Sequence, residues 1–207
     1  MNQPARSRRS NGSPDLATRD RLIVVSTQLF FDNGYDATTT REISEKSGIQ
    51  KASLYHHIDS KEDLLFDICA DSLAKMEAAV DRVLAEASDE SKLEGAIRAH
   101  LDQALRNVAA HSVMLLEMRS LGDERRELLI KKRRDYEGRV QTLIENDQKA
   151  GRLRDDMSPR KLTLALMDLI NWPIVWFRAD GSMDPAAIAD FLIDIYLNGA
   201  KVPDHRG

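Results

Sequence analysis

Helix punctuation between Gly34 and Asp63 constrains this chain more than any other feature. Gly34 stops an apolar-periodic segment that starts near Ala17 and carries Leu22, Val25 and Leu29 on one face, because glycine readily takes the left-handed backbone that ends a helix. Thr39 and Glu42 then form a capping box, in which the hydroxyl accepts from a first-turn N–H and the carboxylate accepts from the Thr39 N–H. That pair starts a short helix to Ser47, and Gly48 ends it. A second short helix follows from about Gln50 to His57, and Ser60 with Asp63 opens a long one from Lys61 to about Ala87.

The remaining helices are read the same way. Leu65, Ile68, Met76, Val80 and Val83 give the long helix its apolar stripe, and Leu93, Ile97, Leu101, Leu105 and Val108 mark an amphipathic helix ending near His111. Helices over about 112–121 and 123–149 follow, the latter stopped by Gly151. Ser158-Pro159 and Asp184-Pro185 pair an N-cap with a proline at the first helical position, starting strongly apolar helices over about 159–178 and 185–198. Pro173 should kink the first of these, because proline has no N–H to give the helix. Nothing alternates with the period of a strand, so the fold class is all-α.

With 207 residues the chain buries a core without help from disulfides. Cys69 is the only cysteine, which excludes an internal disulfide and a Cys-based zinc finger and suits a reducing cytoplasm. The stretch from Leu162 to Phe177 is broken by Asp168, Asn171 and Pro173, short of the roughly 20 apolar residues of a membrane span. The run from Leu22 to Phe31 lacks a cleavage site after it, so a cytoplasmic protein with no membrane partner is expected. A net charge of −4 argues against a broadly cationic coat for nucleic acid. Arg6, Arg8 and Arg9 are the exception, in residues 1–14, which hold no acid; the stretch 1–16 reads as a disordered basic arm, matched by a flexible tail over 201–207.

Two short helices joined by a glycine turn and packed on a longer one are the layout of a helix-turn-helix DNA reader. Here the residues sharpen the layout. Gly34-Tyr35-Asp36-Ala37-Thr38-Thr39-Thr40-Arg41-Glu42-Ile43, Ser47-Gly48-Ile49, Lys51-Ala52-Ser53-Leu54-Tyr55-His56-His57 and Ser60-Lys61-Glu62-Asp63-Leu64-Leu65 together closely resemble the DNA-binding domain of the TetR family of transcriptional regulators. The resemblance runs over about residues 17–66, with Ile58, Gln50 and Thr40 departing from the family's usual phenylalanine, serine and aliphatic residue. It implies a DNA-binding regulator, most simply a repressor. Thr39, Tyr55 and Lys61 are then expected at phosphates, and Gln50, Lys51, Ala52 and Ser53 at base edges, with Arg41 and His56 as further contacts. Leu54 is expected in the core. Residues 1–64 hold 9 basic and 9 acidic side chains, so affinity should rest on a few placed contacts, and one short recognition helix calls for a dimer on a palindromic operator.

The resemblance further implies that residues 67–200 form a helical domain for effector binding and dimerisation. Leu162, Leu166, Ile170, Ile188, Phe191, Leu192 and Ile195 are expected at the homodimer interface, the competing reading being a buried monomer core. The segment from Asn171 to Arg178 looks like family members that regulate lipid or acyl-CoA catabolism, implying a small hydrophobic or acyl-CoA effector. His100, Glu117, Arg119, Trp172, Trp176 and Arg178 are its candidate contacts, although ordinary core aromatics and hydrogen-bonded histidines explain the same residues. The Lys131-Lys132-Arg133-Arg134 run, flanked by acids, reads as a solvated helix face. No nucleophile elbow, phosphate loop, dinucleotide fingerprint or zincin motif occurs, and no metal or cofactor is expected; the alternative to a ligand-responsive regulator is an effector-independent architectural DNA-binding dimer.

Overall fold

The computed structural model describes the backbone of residues 14–178, 181 and 183–200, with side chains from residue 18 onward. In chain order its helices are α1 (Pro14–Asn33), α2 (Thr40–Ser47), α3 (Lys51–Leu54), α4 (Lys61–Glu86), α5 (Lys92–Arg106), α6 (Val108–Glu117), α7 (Asp123–Lys149), α8 (Pro159–Asn171), α9 (Pro173–Trp176) and α10 (Pro185–Ala200), with a 3-10 turn at Met118–Ser120. No strand occurs among the described residues, as the all-α reading requires. None of these helices is long and apolar enough to cross a membrane.

Two apolar clusters organise the chain. Leu22 and Phe30 of α1, Ile43 of α2 and Leu54 of α3 close on Leu64, Leu65, Ile68 and Leu73 of α4, and the same cluster takes in Val113 and Met114 of α6 and Leu129 of α7. The other joins Met76 and Val80 of α4 to α5, the middle of α7, α8 and α10. The N-terminal core therefore does not close at residue 66. Helix α4 serves both clusters, with Leu73 in one and Met76, one turn on, in the other. Gly95 lets α4 and α5 approach closely: a Cβ there would stand 2.6 Å from Val83 Cγ1.

Several element ends differ from the sequence reading. Helix α1 begins at Pro14, so residues 14–16 of the expected arm are helical; Arg6, Arg8, Arg9 and the tail 201–207 lie outside the described residues. The helix expected to reach His111 stops at Arg106, and α6 restarts at Val108. Asn107 causes the break, since its side-chain amide donates to Gln103 O (3.0 Å) while its own backbone leaves the helical region at ψ 43°. The expected helix 159–178 ends at Asn171. Pro173 has no N–H to continue the ladder and instead opens the single turn α9, closed by Phe177 N–H donating to Pro173 O (2.8 Å).

Candidate nucleic-acid interface and adjoining cavity

The reader is built from the caps upward. Thr39 stays extended (φ −102°, ψ 152°), its Oγ1 accepts from Glu42 N–H (3.2 Å), and Glu42 Oε2 accepts from Thr39 N–H (2.8 Å). The Thr39 N–H, and then the Thr39 hydroxyl (2.9 Å), donate to that carboxylate and hold the Glu42 carboxyl below its usual range. Gly48, at φ 67°, turns the chain, and Ile49 N–H donates to Ser44 O (3.1 Å), so α3 leaves α2 at a fixed angle. The recognition element is one turn shorter than expected: α3 ends at Leu54 and residues 55–57 continue as a turn, with His57 N–H and Ile58 N–H both donating to Leu54 O. Leu54 is wholly buried and pins that turn to the core. Its neighbours face outward: Gln50, Lys51, Ala52, Tyr55 and His56 are exposed and Ser53 is half-buried.

Tyr55 carries its hydroxyl to 3.4 Å from Thr40 Oγ1, bringing the phenol onto the first turn of α2 beside Thr39. Free N–H groups and the helix dipole make that end of α2 receptive to an anion. Arg41, exposed one residue further on, pairs with Glu45 (2.8 Å). Lys61 is placed differently from the sequence expectation. Its ammonium donates to Tyr35 O (2.7 Å) and Thr38 O (2.8 Å) and lies 4.0 Å from the Tyr35 ring centroid, so it ties down the turn between α1 and α2. Burial lowers its pKa, with Asp36 opposing.

Behind the reader, the start of α4 is held by α1 and α7. Arg125 of α7 donates to Asp63 (2.6 Å), Glu62 Oε1 accepts from Gly122 N–H (3.1 Å), and Arg19 of α1 bonds both Asp67 and the His57 carbonyl. Asp63 also accepts from the N–H groups of Asp59 and Ser60 (2.8 Å each); burial pushes its carboxyl up, but Arg125 and these bonds hold it low. Sequence reasoning found only the Ser60–Asp63 cap. The Arg125 partner, 62 residues away in the chain, left no local signal.

In the second cluster a cavity of about 260 Å³ opens between α4, α5, α6, α7 and α8. His100 and His111 line it, both buried, with ring centroids 5.6 Å apart. Asn171 joins them through Oδ1, and Tyr136 hydroxyl lies 2.8 Å from His100 Nδ1. Leu115, Asp168 and Asn171 also border a second cavity of about 320 Å³ with Trp172 and Val175. The remaining expected effector contacts are elsewhere. Glu117 is half-buried beside Gly34, Arg119 is exposed on the 3-10 turn, and Trp176 and Arg178 are exposed outside both cavities. Tyr136 and Asn171 were missed because nothing along the chain announces a polar pair assembled from α7 and α8. Cys69 is a buried thiol whose pKa is raised to about 12 by burial, then by Glu117, which disfavours the thiolate.

The expected interface residues divide by helical phase. Leu162, Leu166, Ile170, Ile188 and Leu192 are buried in the chain's own core and are not available to a partner. Phe191 and Ile195 are exposed, at 54% and 47%, together with Leu164, Trp172, Val175 and Trp176. Both helices are apolar on two faces, so composition alone did not show which face the core takes.

A capped helix-turn-helix packed on a helical bundle that holds cavities has the build of a one-chain DNA-binding transcriptional regulator. Residues 22–68 match the family described as bacterial regulatory proteins, tetR family, and residues 86–200 match the tetracyclin repressor-like C-terminal domain. The chain belongs to the TetR family. It is 27% identical over 193 residues to the HTH-type transcriptional repressor KstR2 of Rhodococcus jostii, covering 89% of this chain and 92% of that one. Among solved structures, the TetR family regulator PfmR of Thermus thermophilus superposes with a TM-score of 0.80 at 30% identity, covering 86% of this chain and 98% of PfmR. AibR, solved with isovaleryl coenzyme A and operator DNA, shares the fold at a TM-score of 0.79 and 24% identity, covering 86% and 97%.

Proposed function

We propose that the chain is a dimeric repressor that leaves a palindromic operator when a small, largely apolar effector enters the domain behind the reader. One observation carries this reading: α7 contributes Arg133, Tyr136 and Glu137 to the cavity wall, while its first turns hold the start of α4 through Gly122 and Arg125. A ligand that repositions α7 acts directly on the helix that follows the recognition element. Allostery then needs only a modest difference in ligand affinity between two arrangements, about 1–3 kcal/mol for a 5- to 150-fold change in DNA affinity. Similarity to KstR2, a transcriptional repressor, and to AibR, which holds a coenzyme A ester together with operator DNA, supports the assignment. In an acyl-CoA, the acyl group is proposed to fill the cavity lined by His100 and His111.

On DNA, Tyr55 and the Thr39 end of α2 are proposed to grip phosphate, with Gln50, Lys51, Ala52 and Ser53 reading bases and Arg41 and His56 flanking them. Lys61 acts mainly as a brace and reaches phosphate with its remaining hydrogen. The exposed strip of Leu164, Trp172, Val175, Trp176, Phe191 and Ile195 is the proposed dimer face. Fluorescence anisotropy of duplexes flanking the gene, titrated with protein and then with acyl-CoA esters and free acids, tests the reading. Tight, salt-sensitive binding released by one compound class is expected; binding that no compound releases would leave the architectural dimer instead.

A further inference from the structure

The cavity lined by His100 and His111 contains two buried atoms left without a hydrogen-bond partner, His111 Nδ1 and Arg133 Nε, the second ion-paired with Glu137 at 3.2 Å, and a hydroxyl group is able to serve an acceptor and a donor alike. Asn171 Oδ1 lies 3.0 Å from His111 Nε2 and 3.2 Å from His100 Nε2. An amide oxygen only accepts, so both Nε2 atoms carry hydrogen, and in a neutral imidazole each Nδ1 is then a bare acceptor. Burial keeps both rings neutral, and His111 further disfavours charge on His100. His100 Nδ1 is served by the Tyr136 hydroxyl at 2.8 Å. His111 Nδ1 is not: it is buried and has no hydrogen-bond partner among the described residues. His111 is 2% exposed and lines the cavity, so that cavity is where a partner can reach the ring.

We propose that the cavity receives an uncharged hydroxyl group on an otherwise apolar small molecule, with His111 Nδ1 accepting the hydroxyl hydrogen. This rests on the effector reading and narrows it to a class of ligand. The lining also includes Leu73, Met76, Met114, Leu115 and Met167, which suits a hydrocarbon body. A ketone in the same place sets one acceptor against another, and a methyl group offers the buried nitrogen no hydrogen and so gains nothing there. A carboxylate meets Glu137 and Asp168 on the same wall, with a single cation, Arg133, that is already 3.2 Å from Glu137. Hydroxylated compounds are thereby separated from their oxidised and deoxygenated counterparts, which is what a regulator of an alcohol-producing or alcohol-consuming step requires.

The test uses three probes of one shape, 1-indanol, 1-indanone and 1-methylindane, titrated into the full-length protein labelled with 15N-histidine. Calorimetry should rank 1-indanol about tenfold tighter than either relative, the scale of one buried hydrogen bond. The His111 Nδ1 resonance should report a bare nitrogen that shifts when 1-indanol binds, and His111→Phe should abolish the preference. Tighter binding of 1-indanone, or a hydrogen on His111 Nδ1, would overturn the donor assignment, since it would mean that Asn171 presents its amide hydrogens to both rings. Equal binding of all three, or none, would also overturn it. If His111→Phe does not fold, the wild-type ranking and the tautomer still decide. Release of operator DNA by some other compound alongside equal probe binding would sink this assignment alone, whereas an operator that no compound releases would sink the effector reading beneath it.

Discussion

Acidification should loosen this protein through the two histidines that face each other in its core. His100 is buried, with a pKa lowered to about 3 by burial first and by His111 second, against an unfolded value near 6.5. The unfolded chain therefore binds a proton that the folded chain refuses. Stability from this group is complete above pH 6.5 and falls as pH drops toward the folded value. From pH 7 to pH 5 the loss is about 1.5 pH units at 1.36 kcal/mol each, roughly 2 kcal/mol, and His111 shifts in the same direction. For about 200 residues that corresponds to roughly 4–8 °C in Tm. The assay is urea unfolding at pH 7 and pH 5 at one protein concentration, because dimerisation alters apparent stability. His100→Gln should lose most of the His100 share of the pH dependence. A wild-type midpoint that does not move, or an imidazole of His100 titrating near pH 6.5, would refute the reasoning.

Five other perturbations separate the parts of the molecule. Lys61→Ala should cost about 1–2 kcal/mol in thermal unfolding, since Tyr35 O and Thr38 O lose their donor, whereas Tyr55→Phe should leave stability unchanged and weaken DNA binding on every sequence. Lys51→Ala should relax preference within each half-site while leaving non-specific affinity nearly intact, read by competition with mutated operators. Gly95→Ala should destabilise by about 1–3 kcal/mol despite alanine's better helix propensity, because its methyl group meets Val83; a rise in Tm would show that α5 gives way. Phe191→Glu with Ile195→Glu should convert a dimer to a monomer by sedimentation without unfolding it, as both side chains face away from the core.

The reader was legible because its signals are local. Thr39, Glu42 and Gly48 each act within four residues, so the sequence announced them and the structure places them as capped and turned. What long-range contacts decide was not legible. Lys61 looks like any cation at a helix start until the chain folds back to offer the Tyr35 and Thr38 carbonyls. Likewise, α8 and α10 carry apolar residues on two faces, and only packing tells Leu166, fully buried, from Leu164, half exposed. His100 and His111 share a cavity for a reason no periodicity contains: Asn107 breaks the helix between them and lets the two halves bring their rings together.

The apolar cluster beneath the reader, which borrows Val113, Met114 and Leu129 from far along the chain, bears on how such proteins can be recombined. A chimaera cut at residue 66 would leave the transplanted reader without the floor on which Ile43 and Leu54 rest. The unit that can be moved intact is discontinuous: residues from α1 to Leu73, together with the matching faces of α6 and α7. Reader and bundle are thus inherited as one piece, and exchanging either demands a resurfaced joint, not a linker.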